Sequence, residues 1–450
     1  MLHQFTFDGR HFTVDPLSAS IHETDALAQA AIEGFSVRGR TGAIAAITGA
    51  FPEVPAEEAE SLADEIEELI ADGKLFTKEA VRPADSKLSP AIKALCLHAA
   101  HSCNMACEYC FAAQGKYHGD DALMSAENGK KAIDFLVKNS GTRRNLEVDF
   151  FGGEPLLNFG AVREIVRYAR GLESAANKRF RFTLTTNGLL LTDEVTRFCN
   201  DEISNVVLSL DGRRETHDRF RKTPDGGGTY DIVVPKFLRF AELRKTGKFT
   251  SYYVRGTYTA ANLDFTEDVF HVADLGFASV AFEPAVGAAD SPLAIKAEHL
   301  PQLYEQYGRL AKEIAARRGT EREFHFYHFD IDFENGPCIY KRTSGCGSGS
   351  EYFAVTPNLT LYPCHQLVGN EKYIAGTVAD GVSPGFSFHR GSIFDLPQCR
   401  DCWAALFCAG GCAANAVNVA GGLDGEDAVG CELFRRRLEC AIWLNANAES

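Results

Sequence analysis

The sequence predicts an α/β protein built around a partial parallel barrel, with a smaller unit before it and a cysteine-rich unit after it. Three observations carry this. Strand and helix patterns alternate through residues 91–320, the first 85 residues have a pattern of their own, and nine of the fourteen cysteines fall within 324–450. At 450 residues the chain is long enough for two or three domains.

In residues 1–85, apolar positions alternate from Phe5 to Val14 around an Asp8-Gly9 turn, as in a strand pair. Helical periodicity follows at Glu23 to Phe35, Gly42 to Ala50 and Ala56 to Asp72. Arg82 to Leu88 (RPADSKL) reads as a linker. Strands are then expected at Leu95 to Ala99, Leu146 to Phe151, Phe180 to Thr186, Asn205 to Leu210, Tyr252 to Thr259 and Ala278 to Glu283. Helical windows between and after them include Ser125 to Lys138, Ala161 to Ala176, Tyr230 to Lys245, Leu263 to Leu275 and Glu298 to Arg317. Six such units make a partial (β/α)6, TIM-like barrel, whose active site belongs at the C-terminal ends of the strands. From Phe324 to Ser450 the pattern is less regular, with one hairpin at Tyr352 to Tyr362 around Pro357-Asn358.

Composition narrows the function. A net charge of −15 argues against nucleic acid, because phosphate binding needs a basic face. No run of eighteen apolar residues exists, so no membrane span is expected. The start MLHQFTFDGRHF lacks the basic-then-apolar pattern of a signal peptide. A cytoplasmic location is expected, and the fourteen cysteines then point to metal rather than disulfides. Cys96, Cys199 and Cys440 stand alone and read as buried thiols. The other eleven cluster, and eleven divides as three plus four plus four.

The most informative cluster is Cys103, Cys107 and Cys110 in SCNMACEYCFA, a C-x3-C-x2-C loop after the first barrel strand. Three thiolates can hold three irons of a [4Fe–4S] cube and leave the fourth iron open. Four cysteines are the rule for a cluster that only carries electrons, whereas catalytic metal sites keep a position free. Tyr109 and Phe111 would shield such a cube from water. FFGGEP at Phe150 to Pro155, TTNG at Thr185 to Gly188 and SLDG at Ser209 to Gly212 follow at successive strand ends. Together these motifs resemble the radical S-adenosylmethionine (SAM) superfamily.

That resemblance implies that Cys103, Cys107 and Cys110 are the catalytic cluster ligands and that SAM is cleaved reductively to a 5′-deoxyadenosyl radical. It implies that Gly152 and Gly153 allow close backbone approach to the methionyl group, and that Glu154 accepts from its ammonium. Asn187, Ser209 and Asp211 become polar contacts to SAM, with Asp211-Gly212 alternatively an ordinary turn. Arg221 either pairs with the SAM carboxylate or is a surface charge. His98 and His101 flank the loop in packing or hydrogen-bonding roles. Glu283 either faces substrate or is a buried carboxylate paired with a barrel arginine.

In the tail, Cys338, Cys346 and Cys364 precede Cys399-x2-Cys402-x5-Cys408-x3-Cys412 and then Cys431. This is similar to the SPASM domain with its two auxiliary [4Fe–4S] clusters. The resemblance assigns Cys346, Cys364 and Cys412 to one cluster, with Cys338 as its fourth ligand or with that position open to a substrate thiolate. It assigns Cys399, Cys402, Cys408 and Cys431 to the other. The family usually has glycine five residues before the hairpin cysteine, where this chain has Leu359. Structural zinc is the rival reading, since four cysteines also bind zinc.

Residues 1–85 resemble a winged-helix-like module that clamps a leader peptide by strand addition; an acidic helical module without a ligand is the alternative. Across nearly its whole length the chain resembles the maturases of six-cysteine (SCIFF) ranthipeptides. That implies thioether formation in a cysteine-rich precursor peptide with a leader, and an electron donor such as flavodoxin or ferredoxin. A sulfatase-maturing, formylglycine-forming enzyme is the alternative within the class. A multi-cluster electron carrier or zinc scaffold is the alternative outside it, and neither needs an open iron or a GGEP turn.

Overall fold

The computed structural model describes residues 2–79, 91–287, 290–333 and 339–448. The expected linker and Cys338 lie outside the described residues.

At the N-terminus, β1 (His3–Phe7), β2 (Arg10–Asp15) and β3 (Ser20–Thr24) form an antiparallel sheet in that order. Asp8 and Gly9 turn β1 into β2 with φ of 52° and 78°, the backbone a tight hairpin requires. The helix expected from Glu23 begins later. Glu23 belongs to β3, and Asp25 caps α1 (Ala26–Ala50) by accepting from the Ala28 N–H. α1 breaks at Arg38-Gly39, where Gly39 takes φ 61°. Its halves then approach so closely that a Cβ on Gly34 would lie 2.3 Å from the Gly42 carbonyl oxygen. α2 (Ala56–Ala71) packs on α1.

The middle of the chain runs β4 (Ala94–His101), β5 (Ala122–Leu123), α3 (Ala126–Asn139), β6 (Asn145–Gly152), α4 (Phe159–Ala176), β7 (Arg179–Thr186), α5 (Asp193–Glu202), β8 (Asn205–Ser209), α6 (Arg214–Phe220), α7 (Tyr230–Arg244), β9 (Tyr252–Tyr258), α8 (Phe265–Asp274), β10 (Ser279–Pro284) and α9 (Leu300–Arg317). All six expected strands are present. They pair in parallel in the order β10-β9-β8-β7-β6-β4. β4 is buried along nearly its whole length, as a strand covered on both faces must be. Ser125 and Thr192 cap α3 and α5 with side-chain acceptors.

The tail extends this sheet at both edges. β11 (His325–Phe326) joins β10 in parallel. After α10 (Ile339–Ser344), β12 (Tyr352–Val355) pairs in parallel with β4 and begins the expected hairpin with β13 (Thr360–Tyr362). β14 (Gly376–Thr377) and β15 (Gly381–Val382) complete that edge. At the hairpin turn Leu359 takes φ 70°, where a Cβ costs about 1–2 kcal/mol.

Four helices follow: α11 (Pro397–Arg400), α12 (Ala405–Cys408), α13 (Ala413–Ala420) and α14 (Ala428–Ala446). The 19-residue α14 lies in a stretch whose pattern had looked irregular. Its buried residues include the unbroken run Cys440 to Leu444, so no single stripe marks it. α14 packs on α9 and on β1, with Phe7 edge-on to Trp443 at 5.0 Å. His3 stacks on Trp403 at 3.8 Å, directly beside Cys402. The N-terminal sheet is therefore seated against the tail.

Candidate active site at the strand ends

The C-terminal ends of β4, β6, β7 and β8 converge on the three-cysteine loop. Backbone bonds pin this loop on two sides. Ala106 N donates to Lys222 O at 2.7 Å and Glu108 N to Phe220 O at 3.1 Å, tying it to the chain after α6. Gly153 N donates to Ala100 O at 2.8 Å and Glu154 N to Ser102 O at 2.9 Å, tying the GGEP turn to its start. Gly152 has φ 122°, and a Cβ on it would meet Ala100 O at 2.3 Å. A Cβ on Gly153 would meet Ser102 O at 2.1 Å. The protein's own backbone therefore demands these two glycines, which is a different reason from the ligand approach expected of them.

Glu154 is held by the protein's own groups. Its carboxylate is 1% exposed and bonded internally. Oε1 accepts from Leu156 N and the Thr186 hydroxyl, and Oε2 accepts from Asn187 N. Burial pushes its pKa up to about 7 against the pull of those three donors. Glu154 thus ties the GGEP turn to the TTNG turn, with no side-chain oxygen left unbonded. The Asn187 side chain is engaged as well: Nδ2 donates to Asn104 Oδ1 at 2.8 Å and lies 3.7 Å from Cys103 Sγ.

Asp211 and Arg221 form one buried unit. Asp211 Oδ1 accepts from Thr257 N at 3.0 Å, and Oδ2 accepts from the Tyr109 hydroxyl. Arg221 Nε lies 2.9 Å from Asp211 Oδ2, with side-chain exposures of 11% and 0%. Arg221 is therefore not a surface charge, because α6 turns it inward beneath the loop. Its guanidinium also sits 5.6 Å from the Tyr109 ring centre. Burial disfavours its charge, but Asp211, Tyr109 and Cys107 outweigh burial and hold it protonated. His217 accepts from Asp211 N through Nδ1, and burial lowers its pKa to about 3. Ser209 ends β8 half-buried, and among the described residues its hydroxyl has no bonding partner. Ser209 thus offers a free hydroxyl at the strand ends, and the Arg221 Nη groups likewise have no bonding partner among the described residues.

The loop thiols suit a positively charged metal group. Burial pushes Cys103 up to about 12 and Cys107 up to about 11, and each thiol is pushed further by its neighbours. As free groups they are protonated; to act as thiolates they need a compensating charge. Met105 N at 3.5 Å from Cys103 Sγ, Asn187 Nδ2 and the Arg221 charge already favour sulfur anions.

In the tail, Cys346 and Cys412 lie near enough to Cys364 to raise its pKa, after burial, to about 12. Cys399 and Cys402 act likewise on Cys408, and Cys408 on Cys431. Arg435 Nη1 lies 3.7 Å from Cys402 Sγ. The tail cysteines thus gather as two neighbourhoods. Among the described residues no three His, Cys, Asp or Glu side chains are close enough for a single metal ion. A cube, whose ligating sulfurs stand farther apart, asks for a wider set.

A buried apolar cluster containing Cys96, Tyr117 and Cys364, with Cys110 and Phe111 packed against it, links the loop to the first tail neighbourhood. His98 is buried among Tyr117, Phe151 and His101, and its Nδ1 meets His101 Nε2 at 3.0 Å. One feature escaped sequence reading, and one alternative that reading offered, a barrel arginine paired with Glu283, is present. The Tyr109–Asp211–Arg221 unit joins residues about a hundred positions apart, and the Arg255–Glu283 ion pair lies on adjacent strands. Only the β9–β10 pairing reveals which barrel arginine Glu283 takes.

Residues 93–231 match the family described as a 4Fe-4S single cluster domain. The chain is 24% identical over 201 residues to the radical SAM cyclopropyl synthase TigE of Paramaledivibacter caminithermalis, covering 41% of each chain. It therefore spans less than half the length of that relative. It is 24% identical over 357 residues to the cysteine-type anaerobic sulfatase-maturating enzyme of Clostridium perfringens, covering 72% of this chain and 89% of that one. The solved structure of anSMEcpe with bound AdoMet has the same fold, with TM-score 0.64, 20% identity and coverage of 79% and 100%. Streptococcus suis SuiB bound to precursor peptide SuiA matches with TM-score 0.54, 15% identity and coverage of 95% and 98%.

Proposed function

We propose that the chain is a radical SAM/SPASM-type maturase, a reading its likenesses support, and that it installs thioether cross-links in a cysteine-rich precursor peptide. The observation that carries the catalytic half is the convergence of the three-cysteine loop, the GGEP turn and the Asp211–Arg221 pair at the strand ends. Cys103, Cys107 and Cys110 would hold a [4Fe–4S] cluster with one iron open to SAM. When bound, the cluster and SAM supply a 5′-deoxyadenosyl radical able to remove hydrogen from a peptide carbon. Ser209 offers SAM a hydroxyl. The Arg221 charge, fixed by Asp211, stabilises the Cys107 thiolate. Tyr109 and Phe111 keep water from the loop.

Two auxiliary clusters complete a set of three in this reading. Cys346, Cys364 and Cys412 would hold one, with Cys338 or a substrate thiolate as the last ligand; Cys399, Cys402, Cys408 and Cys431 would hold the other. The peptide thiol would then lose its proton and bond to the carbon that lost hydrogen, and the one electron released would pass to an auxiliary cluster. Residues 2–79 would bind the leader, with β3 as an edge strand open to addition. The match to SuiB supports this half of the reading, because its 95% coverage takes in the N-terminal unit. An electron donor such as flavodoxin or ferredoxin would supply the reducing electron. The sulfatase-maturating relative keeps formylglycine formation as the second reading.

The test mixes anaerobically reconstituted protein, SAM and reductant with a cysteine-rich peptide, taken from a short reading frame beside the gene where one is found. Each cross-link is expected to lower the peptide mass by two hydrogens. Unchanged mass with SAM cleavage intact would reject thioether formation. A cysteine whose CH2–SH has become an aldehyde, CH=O, would establish the second reading instead.

A further inference from the structure

The barrel lumen holds a polar group that the cofactor reading does not use. Arg255 on β9 and Glu283 on β10 form an ion pair and are about a third exposed. Arg255 lies opposite Ser209 in register, so the pair opens beside the strand end that carries Asp211. His328 follows β11 and brings Nε2 to 3.7 Å from Glu283 Oε1. That separation is too long for a hydrogen bond, and the buried Nε2 has no other partner. Arg437 reaches the same place from α14, and its charge acts on both Glu283 and His328. Its Nε donates to Leu433 O at 3.3 Å. Among the described residues no carboxylate lies at ion-pair distance from its guanidinium.

Burial lowers the His328 pKa to about 4, so its imidazole is neutral near pH 7. Two guanidiniums face Glu283, Asp149 adds a second carboxylate whose charge acts with those of Arg255 and Glu283 on Tyr253, and Arg437 is left without a carboxylate at ion-pair distance among the described residues. A cation held partly out of water favours an anionic partner with charge-assisted hydrogen bonds. The group also lies between the cysteine sets: the Arg255 and Glu283 charges are felt at His365, next to Cys364, and the Arg437 charge at Cys408.

The geometry points to a carboxylate-binding subsite in the lumen, where Arg437 and His328 Nε2 take an acidic group of the substrate peptide and the Arg255–Glu283 pair holds them in place. This rests on the peptide-modifying reading and adds a substrate class to it: a peptide with an aspartate or glutamate, or a free C-terminus, near its reacting residues. Glu283 occupies Arg255, so the incoming carboxylate falls to Arg437.

The test uses the full chain, anaerobically reconstituted with iron and sulfide, without SAM or reductant. Three probes are compared by equilibrium binding at low salt: acetyl-Gly-Cys-Gly-Asp-Gly-Cys-Gly-amide, its Asn counterpart, and the Asn peptide with a free C-terminal carboxylate. The wild type is expected to bind one carboxylate probe about tenfold tighter than the Asn amide, about 1.4 kcal/mol; which probe wins tells side chain from C-terminus. R437Q should bring that preference to within about twofold, and R437K should keep part of it. R144Q, at the opposite end of the strands, should keep it whole. Should R437Q unfold, the graded loss in R437K carries the comparison. Equal binding of all three probes, no measurable binding, or a preference that survives R437Q and R437K overturns the subsite. Because the readout needs no SAM, this result and the SAM-cleavage result can fail separately.

Discussion

Cys103→Ala is expected to bring 5′-deoxyadenosine release down to the protein-free level. Iron should fall from about twelve per chain to about eight, the loss of one four-iron cluster of three. Cys103 is the loop thiol most engaged by its surroundings, with Met105 N and Asn187 Nδ2 directed at its sulfur. Two remaining thiols cannot anchor a cube whose fourth corner must stay free. Cys440→Ala provides the contrast. Cys440 is fully buried in α14, away from the loop, and packs with the main core. Its loss should leave iron content and SAM cleavage intact, at a stability cost of about 1 kcal/mol. Were C103A to keep its iron and its 5′-deoxyadenosine release, the loop would not be the catalytic centre.

Asp211→Asn is expected to destabilise the protein by about 3–5 kcal/mol, the range found when one partner of a buried ion pair is removed. Asp211 is fully buried and serves three neighbours at once: Arg221, Tyr109 and the Thr257 N–H. An amide can still accept at one oxygen, but it puts an NH2 group against donors and leaves the Arg221 guanidinium without a counter-charge. The thermal midpoint should fall by about 10 °C. Iron loading of the loop should fall with it, since the Arg221 position that favours the Cys107 thiolate is no longer set. A midpoint within about 2 °C of wild type would show that water reaches the pair and that the burial argument fails.

The barrel could be read from the chain because its six strands lie in sheet order as in sequence, each followed by a helix, and the first four end in recognisable motifs. Strands as short as β5, β11 and β14, two residues each, are too brief for any period to show. The last two residues of β3, Glu23 and Thr24, fell into the expected helix because the pattern did not reveal that Asp25, rather than an earlier residue, is the cap. α14 was missed because it is apolar in a block at its C-terminal end, where neighbours cover it on several sides. The three-cysteine loop and its turn were legible because their chemistry is local. The internal bonds of Glu154 and the burial of Arg221 were not legible, because a side chain's direction is decided by partners far away in the chain. Thr186 and Asn187 claim Glu154, and Asp211 and Tyr109 claim Arg221. The glycines are required, yet the atoms that require them belong to Ala100 at the end of β4 and Ser102 just after it.

The account depends on one iron of the loop cluster being open to SAM. The most direct measurement is the electron paramagnetic resonance spectrum of the reduced, reconstituted protein, with and without SAM labelled with 17O in its carboxylate and 15N in its amine. The account predicts that SAM shifts the spectrum and that both labels couple to the cluster. A spectrum unchanged by SAM, with neither label coupled, would contradict it.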